Sequence, residues 1–330
     1  MEGKNYSLER FYFIFLMMRK YFSIVKRAYL WILIAITATV VSWVVFIFSA
    51  QFSEEFTGGI SVVFNGKVKD AEFKEQLAQG LAEKGFPNLK VHLDNNVGQT
   101  KIKINNRLKD NEEVNKLSLA ISNYLVESQT ISSESDIVEQ VVIGPSVGKY
   151  MTNTASRALG LWLLAMMIYM IFSFWTIRKN IAPGILATVV LFTSVLSISI
   201  PAGAYGIWMA LDPTTQIDTV FIIAILTIIG YGINDVIIIF DRIRENMIRS
   251  NEKIAYANVF DESIRQTFKR SLGTSVSTLL VLIAMFVFGT GVIQRFSFTV
   301  GVGVVVSFLS SIFVAASTAY LLINLTKKVR

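Results

Sequence analysis

The sequence predicts a polytopic α-helical membrane protein that carries one extracytoplasmic α+β domain. Of its 330 residues, 53% are hydrophobic and only 17% charged, a balance that belongs to membrane chains. Six apolar segments run to spanning length, which takes ~20 mostly apolar residues. Between the first two of them lies one polar stretch, residues 51–157, long enough to hold a core of its own.

The arm 1–29 is basic, with Lys4, Arg10, Arg19, Lys20, Lys26 and Arg27. Within it, Phe11–Met18 is apolar but too short to span. Flanked by Arg10, Arg19 and Lys20, it reads as an interfacial helix at the cytoplasmic face; the alternative is an untethered arm. The first span occupies 30–50, with its apolar run at Leu30–Phe48. It follows basic residues as a signal peptide does, yet exceeds the usual length of one and reads as an uncleaved anchor. Residues 158–325 hold the other spans: Ala158–Ile177, Ala182–Leu211, Ile217–Phe240, Gly273–Phe288 and Phe298–Leu325, with a cytoplasmic loop at 241–271 and a tail at 326–330. The fifth is short unless Leu272 and residues past Gly289 join it. Pro201 and Gly203 are expected to kink or end the third.

The outer segment is patterned throughout. Phe56–Asn65 reads as a strand, and Val68–Lys84 as an amphipathic helix closed by Gly85 and Pro87. Leu89–Leu93 and Thr100–Ile104 alternate around Asn95-Asn96-Val97-Gly98, which signals a hairpin. Glu112–Val126 is again helical, with Val114, Leu117, Leu119, Ile121, Tyr124 and Leu125 as its apolar positions, and Ile137–Ile143 forms a last strand. The order β-α-β-β-α-β is that of a ferredoxin-like domain. It contains no nucleophile–base pair, metal cluster or phosphate loop, so binding or coupling is expected of it and catalysis is not.

Orientation follows from Lys and Arg in the short loops. Arg178 and Lys179 join spans two and three. Arg242, Arg244, Arg249, Lys253, Arg265, Lys269 and Arg270 lie between four and five, and Lys327, Lys328 and Arg330 end the chain. The stretch Asp212–Asp218 has no basic residue, and the loop after span five has only Arg295. Both termini are therefore expected in the cytoplasm, with the soluble domain outside. The net charge of +7 is spent on this topology, and nucleic acid is not an expected partner.

Asp235 is the residue most suggestive of function, because a charge within a span costs roughly 2.5–3.5 kcal/mol and usually marks an ion path. The alternative is a neutral Asp that hydrogen-bonds two helices together. Burial in low dielectric favours the neutral acid. Gly230 and Gly232 let a neighbouring helix approach closely, and Tyr231, four residues before Asp235, shares its face. Asp241 is six residues on, so Asp235 sits ~9 Å inside the cytoplasmic end. On span five, Arg270, Thr274, Ser277 and Thr278 recur at i, i+4, i+7 and i+8, one polar face that suits a water wire toward Asp235. Arg270 serves either as an electrostatic partner or as a snorkelling anchor. Asp218, at the outer start of span four, either caps its helix or admits protons. The charged run Asp241-Arg242-Ile243-Arg244-Glu245-Asn246 reads as a solvated helix end. The chain has no cysteine, and its one histidine, His92, lies outside the apolar runs. Disulfides and thiolate sites are excluded, and any buried proton carrier is a carboxylate.

Gly230-Tyr231-Gly232-Ile233-Asn234-Asp235, followed by Asp241 to Asn246, resembles the GYSIND…DRIREN signature of the SecF family. SecF is the smaller subunit of the SecDF protein-export complex, in the resistance-nodulation-division (RND) superfamily. Phe56-Thr57-Gly58-Gly59 resembles the family's FTGG motif and Val142–Gly148 its VGPxVG, while Arg270 and Phe288-Gly289-Thr290-Gly291 fill later positions. The likeness covers about residues 30–325. Glu55 stands where the family usually has Asp, Gly232 where Ser is common, and Phe288–Gly291 loosens a double-glycine motif. The resemblance implies half of an RND-type bundle, completed by a six-span SecD-like subunit and working beside the SecYEG translocon on unfolded secretory proteins. It also implies use of the proton-motive force, consistent with the absence of a Walker-type loop. The family's intramembrane Asp and following Arg fall on Asp235 and Arg270, with Tyr231, Asn234, Thr274, Ser277 and Thr278 as expected relay neighbours. No cofactor is expected beyond a coupling ion, proton or sodium. A passive translocon scaffold and a small-molecule transporter half are the alternatives; an enzyme is not expected.

Overall fold

The computed structural model describes residues 23–66, 68, 70–87, 89–96, 99–105, 111–178, 181–212, 215–249 and 255–329. The expected interfacial helix Phe11–Met18 and the turn residues Val97 and Gly98 lie outside them.

After a short 3₁₀ turn at Val25–Arg27, helix α1 (Ala28–Ser49) makes the first span. Helix α2 (Glu54–Thr57) is a single turn leading into β1 (Gly59–Asn65). Then come α3 (Asp70–Glu83), β2 (Lys90–Asn96), β3 (Gln99–Asn105), α4 (Asn111–Glu127) and β4 (Ile137–Ile143). The four strands form one antiparallel sheet in the order β2-β3-β1-β4. Ile60 lies opposite Ile104 and Val62 opposite Ile102, so the period-2 alternation delivers these apolar residues to one face. That face is covered by Phe73, Leu77 and Leu81 of α3 and by Val114, Leu117, Ile121 and Leu125 of α4, all buried. Leu119, expected among the apolar contacts of α4, points outward and is exposed, since it lies two residues from both Leu117 and Ile121 and so off the buried stripe.

The remaining spans are α5 (Pro145–Ser173), α6 (Pro183–Leu211), α7 (Thr219–Arg249), α8 (Tyr256–Phe288) and a sixth made of α9 (Val292–Leu309), a π-helical segment (Ser310–Ala315) and α10 (Ala316–Val329). With α1 they are, among the described residues, the six helices long and apolar enough to cross a membrane. Helices α6, α7 and α9 form the middle of the bundle, where their inward residues are buried. Helices α1, α5 and α8 stand at the periphery with many of their apolar side chains exposed.

The helices outrun the apolar segments. Helix α5 starts at Pro145, well before the apolar run at Ala158, and α7 continues through the charged turn to Arg249. Much of the expected loop 241–271 is therefore helix. Proline does not end the third span: α6 runs unbroken from Pro183 to Leu211 with Pro201 buried inside it, as packed membrane helices allow.

Candidate functional site

Asp235 is buried on α7, facing α8. Its neighbour there is Ser271, whose hydroxyl lies beside the carboxyl group without a hydrogen bond of ordinary geometry. Both Asp235 Oδ2 and Ser271 Oγ are left without a partner. One turn earlier on α7, the half-buried Tyr231 donates its phenol to Ser275 Oγ at 3.1 Å. Arg270 is near enough to act on Asp235 electrostatically, but its side chain is exposed and among the described residues no ion pair joins the two. Asn234 is also exposed.

The hydroxyl face of α8 expected beside Asp235 is turned outward. Thr274 and Ser277 are exposed and Thr278 is half-buried. Each bonds the backbone of its own helix: Thr274 donates to Ser271 O at 3.0 Å, Ser277 to Gly273 O at 2.7 Å, and Thr278 to Thr274 O at 3.0 Å. The inward stripe is the adjacent one, Ser263, Thr267, Ser271 and Ser275, all buried. Four-residue spacing was its signal in the sequence too, but spacing alone does not say which of two neighbouring faces looks inward.

On the other side of Asp235, Gly232 brings α7 against α6 and α9. A Cβ there would fall 2.7 Å from Ser307 Oγ and 3.2 Å from Ser197 Oγ, so Gly232 leaves room for a hydroxyl from each neighbouring helix. Ser197 and Ser307 are buried, and the Ser307 hydroxyl has no partner. The π segment begins just beyond it, and such register shifts are frequent at functional sites.

At the C-terminal end of α7, the charged motif is tied to its neighbours. Arg242 pairs with Glu245, Arg244 bonds Asp241 at 2.6 Å and donates to Ser173 O at 3.1 Å, and Asn246 donates to Ser263 at 2.9 Å. The bonds to Ser173 and Ser263 join the end of α7 to α5 and α8, a larger role than a solvated helix end.

At the opposite end, the sheet domain is bonded to the start of α7. Ser53 donates its amide to Ile217 O at 3.0 Å, and Ile217 returns one to Gln51 O at 2.7 Å. Glu55 accepts from the Thr219 amide at 2.7 Å and Asp218 from the Phe221 amide at 2.8 Å. Asp218 is thus the N-cap. Burial pushes its carboxyl above the ordinary range and the Glu55 charge adds to this; the Phe221 amide bond, Arg295 and Lys103 oppose it. The FTGG and VGPxVG motifs also meet: a Cβ on Gly148 would lie 2.7 Å from Phe56 O and 3.0 Å from Gly58 N, so only glycine lets α5 cross that close to α2.

Fold and site define a six-span membrane protein with a buried carboxylate in its fourth span and a small α+β domain bonded to the far end of that same helix. The family described as "Protein export membrane protein SecD/SecF, C-terminal" matches residues 124–325. Protein translocase subunit SecF of Sebaldella termitidis is 32% identical over 271 residues, covering 81% of this chain and 80% of that protein. The SecF of Haemophilus influenzae is 31% identical over 270 residues, covering 81% and 75%. The crystal structure of SecDF from Thermus thermophilus superposes with a TM-score of 0.66 at 26% identity. It covers 92% of this chain, which spans 38% of the SecDF chain. The chain belongs to the SecF family of protein translocase subunits.

Proposed function

We propose that this chain assists translocation of unfolded proteins across the cytoplasmic membrane by drawing on the proton-motive force through Asp235. The observation that carries the reading is the position of Asp235, buried among the spans with one carboxylate oxygen unpartnered beside an unpartnered serine hydroxyl. A carboxyl group held this way exchanges a proton without first breaking a strong pair. One charge crossing 100 mV is worth ~2.3 kcal/mol, enough to bias two arrangements of packed helices. Proton is the coupling ion we favour, with sodium the alternative.

A six-span SecD-like subunit is the partner we infer, beside the SecYEG translocon. Asn234, Arg270, Thr274 and Ser277 are exposed on this chain at membrane depth, where polar groups normally face protein or water. A second bundle over this face would bring Arg270 and the outward hydroxyls to the same interface as Asp235. We read the sheet domain as ferredoxin-like, supported by its β-α-β-β-α-β order and the strand order β2-β3-β1-β4. We assign it to the extracytoplasmic side, and both termini to the cytoplasm, from the distribution of Lys and Arg. Its bonds to the start of α7 give proton exchange at Asp235 a mechanical route to the emerging chain.

The test is proton flux in liposomes that contain the chain with its six-span partner. Flux that Asp235→Asn abolishes supports the reading. Flux that the substitution leaves unchanged contradicts it, and flux that needs sodium reassigns the ion.

A further inference from the structure

Along α9, Arg295, Thr299, Gly303 and Ser307 follow one another at four-residue intervals, on one face of the helix. At its outer end, Arg295 and Thr299 lie with Asp218 and Tyr205 around a tightly packed cleft that Phe221 and Phe296 also line. Arg295 is 8% exposed, and its Nε has no partner. At its inner end, Ser307 packs on Gly232, one turn from Asp235, with its hydroxyl also unpartnered. The face is therefore polar at both ends. Between them stands Gly303, where a Cβ would lie 2.3, 2.6 and 2.7 Å from three carbons of the Ile228 side chain. Ile228 is fully buried, and Val300 and Val304 beside Gly303 are buried as well. A branched apolar side chain thus lies flat on bare backbone at the one gap in an otherwise polar face.

We propose that Ile228, seated on Gly303, is the dry plug that separates the outer polar cluster of Arg295, Thr299, Asp218 and Tyr205 from the hydroxyl cluster around Asp235, so that displacing it opens the outer half of the ion path. As a gate it rests on the ion-path reading above; as a barrier to water it does not. A hydrophobic constriction of this kind blocks by dewetting and needs no charge of its own. Gly303 is the complementary half of the device, since any larger residue would expel the isoleucine from its seat.

The sequence contains no cysteine, so single thiols report cleanly. Thr299→Cys and Ser307→Cys place one thiol on either side of the plug in the full chain, reconstituted with its six-span partner. Silver ion is applied from the face that carries the sheet domain, and unreacted thiol is counted with a maleimide after denaturation. With Ile228 present, the thiol at position 307 should react at least about tenfold more slowly than the one at 299, and Ile228→Ser should remove that difference. Ile228→Thr, closer in shape, serves if the serine variant does not elute as intact protein. Equal reaction at position 307 with and without Ile228 overturns the proposal. Proton flux in the same vesicles separates the two claims. If Ile228→Ser admits silver to position 307 while no flux depends on Asp235, the plug stands and the ion-path reading fails. If it admits no silver while Asp235-dependent flux persists, the path stands and the plug fails.

Discussion

The crossing of the first and third spans provides a quantitative test of the helix packing. A Cβ added to Gly203 would lie 2.6 Å from Ser42 Cβ and 2.7 Å from Ser42 Cα. The second of these atoms is backbone and has no rotamer by which to move away, so α1 and α6 must separate. Overpacking a tight site costs about 1–3 kcal/mol, and the backbone contact argues for the upper half of that range. Against it stands the helix-propensity gain of Gly→Ala, up to ~1 kcal/mol. Gly203→Ala should therefore lose about 1–2 kcal/mol of stability. Gly160→Ala is the control: it is also within a spanning helix, but nothing lies within 4 Å of its added Cβ, so only the gain remains. Unfolding in mixed detergent–dodecyl sulfate micelles, followed by circular dichroism, should separate the two variants by about 2–3 kcal/mol. Equal stabilisation of both would refute the close crossing. The Trp43–Ser199 hydrogen bond of 2.9 Å also joins these spans.

Two further outcomes concern the junction of the sheet domain with the bundle. Asp218 has its folded pKa raised, chiefly by burial, so its contribution to stability is fully present below the unfolded value and is lost as pH rises through the folded one. Asp218→Asn, which keeps a capping oxygen, should melt higher than the parent near pH 7 and gain nothing at about pH 3, where the parent Asp is neutral in both states; a gain independent of pH would contradict the assignment. Gly148→Val should prise α5 from α2 at a cost of about 1–3 kcal/mol, seen as faster proteolysis within residues 51–58; unchanged cleavage would mean that the two motifs do not rely on this contact.

Much of the fold was legible because its elements are short, regular and amphipathic. In the sheet domain, the sequence located Ile137–Ile143 to the residue, and the other strands and helices to within a few. Helix ends in the bundle were less so. Hydropathy reports apolar length, and α5 begins with a polar, exposed section around Lys149, Asn153 and Arg157 that hydropathy does not register. Its signal was Pro145 after Gly144, a helix-start pair. By composition the charged turn of α7 reads as a helix end, but i,i+3 pairs such as Arg244–Asp241 support continued helix. At the site, the cost of a carboxylate in an apolar run singled out Asp235. The hydroxyls that face it were missed by one position along α8, because two adjacent stripes there share the same spacing. The π segment at Ser310–Ala315 had no signal in the sequence.

The account turns on whether Asp235 acts by titrating or only by hydrogen bonding. Asp235→Asn keeps the shape and removes the titration. The decisive measurement is export of a slow-folding secreted reporter in cells whose only copy is Asp235→Asn, with its abundance matched to the parent. The account predicts that export falls toward the level of cells lacking the protein. Export at the parent rate would contradict it and make the chain a scaffold in which Asp235 is structural.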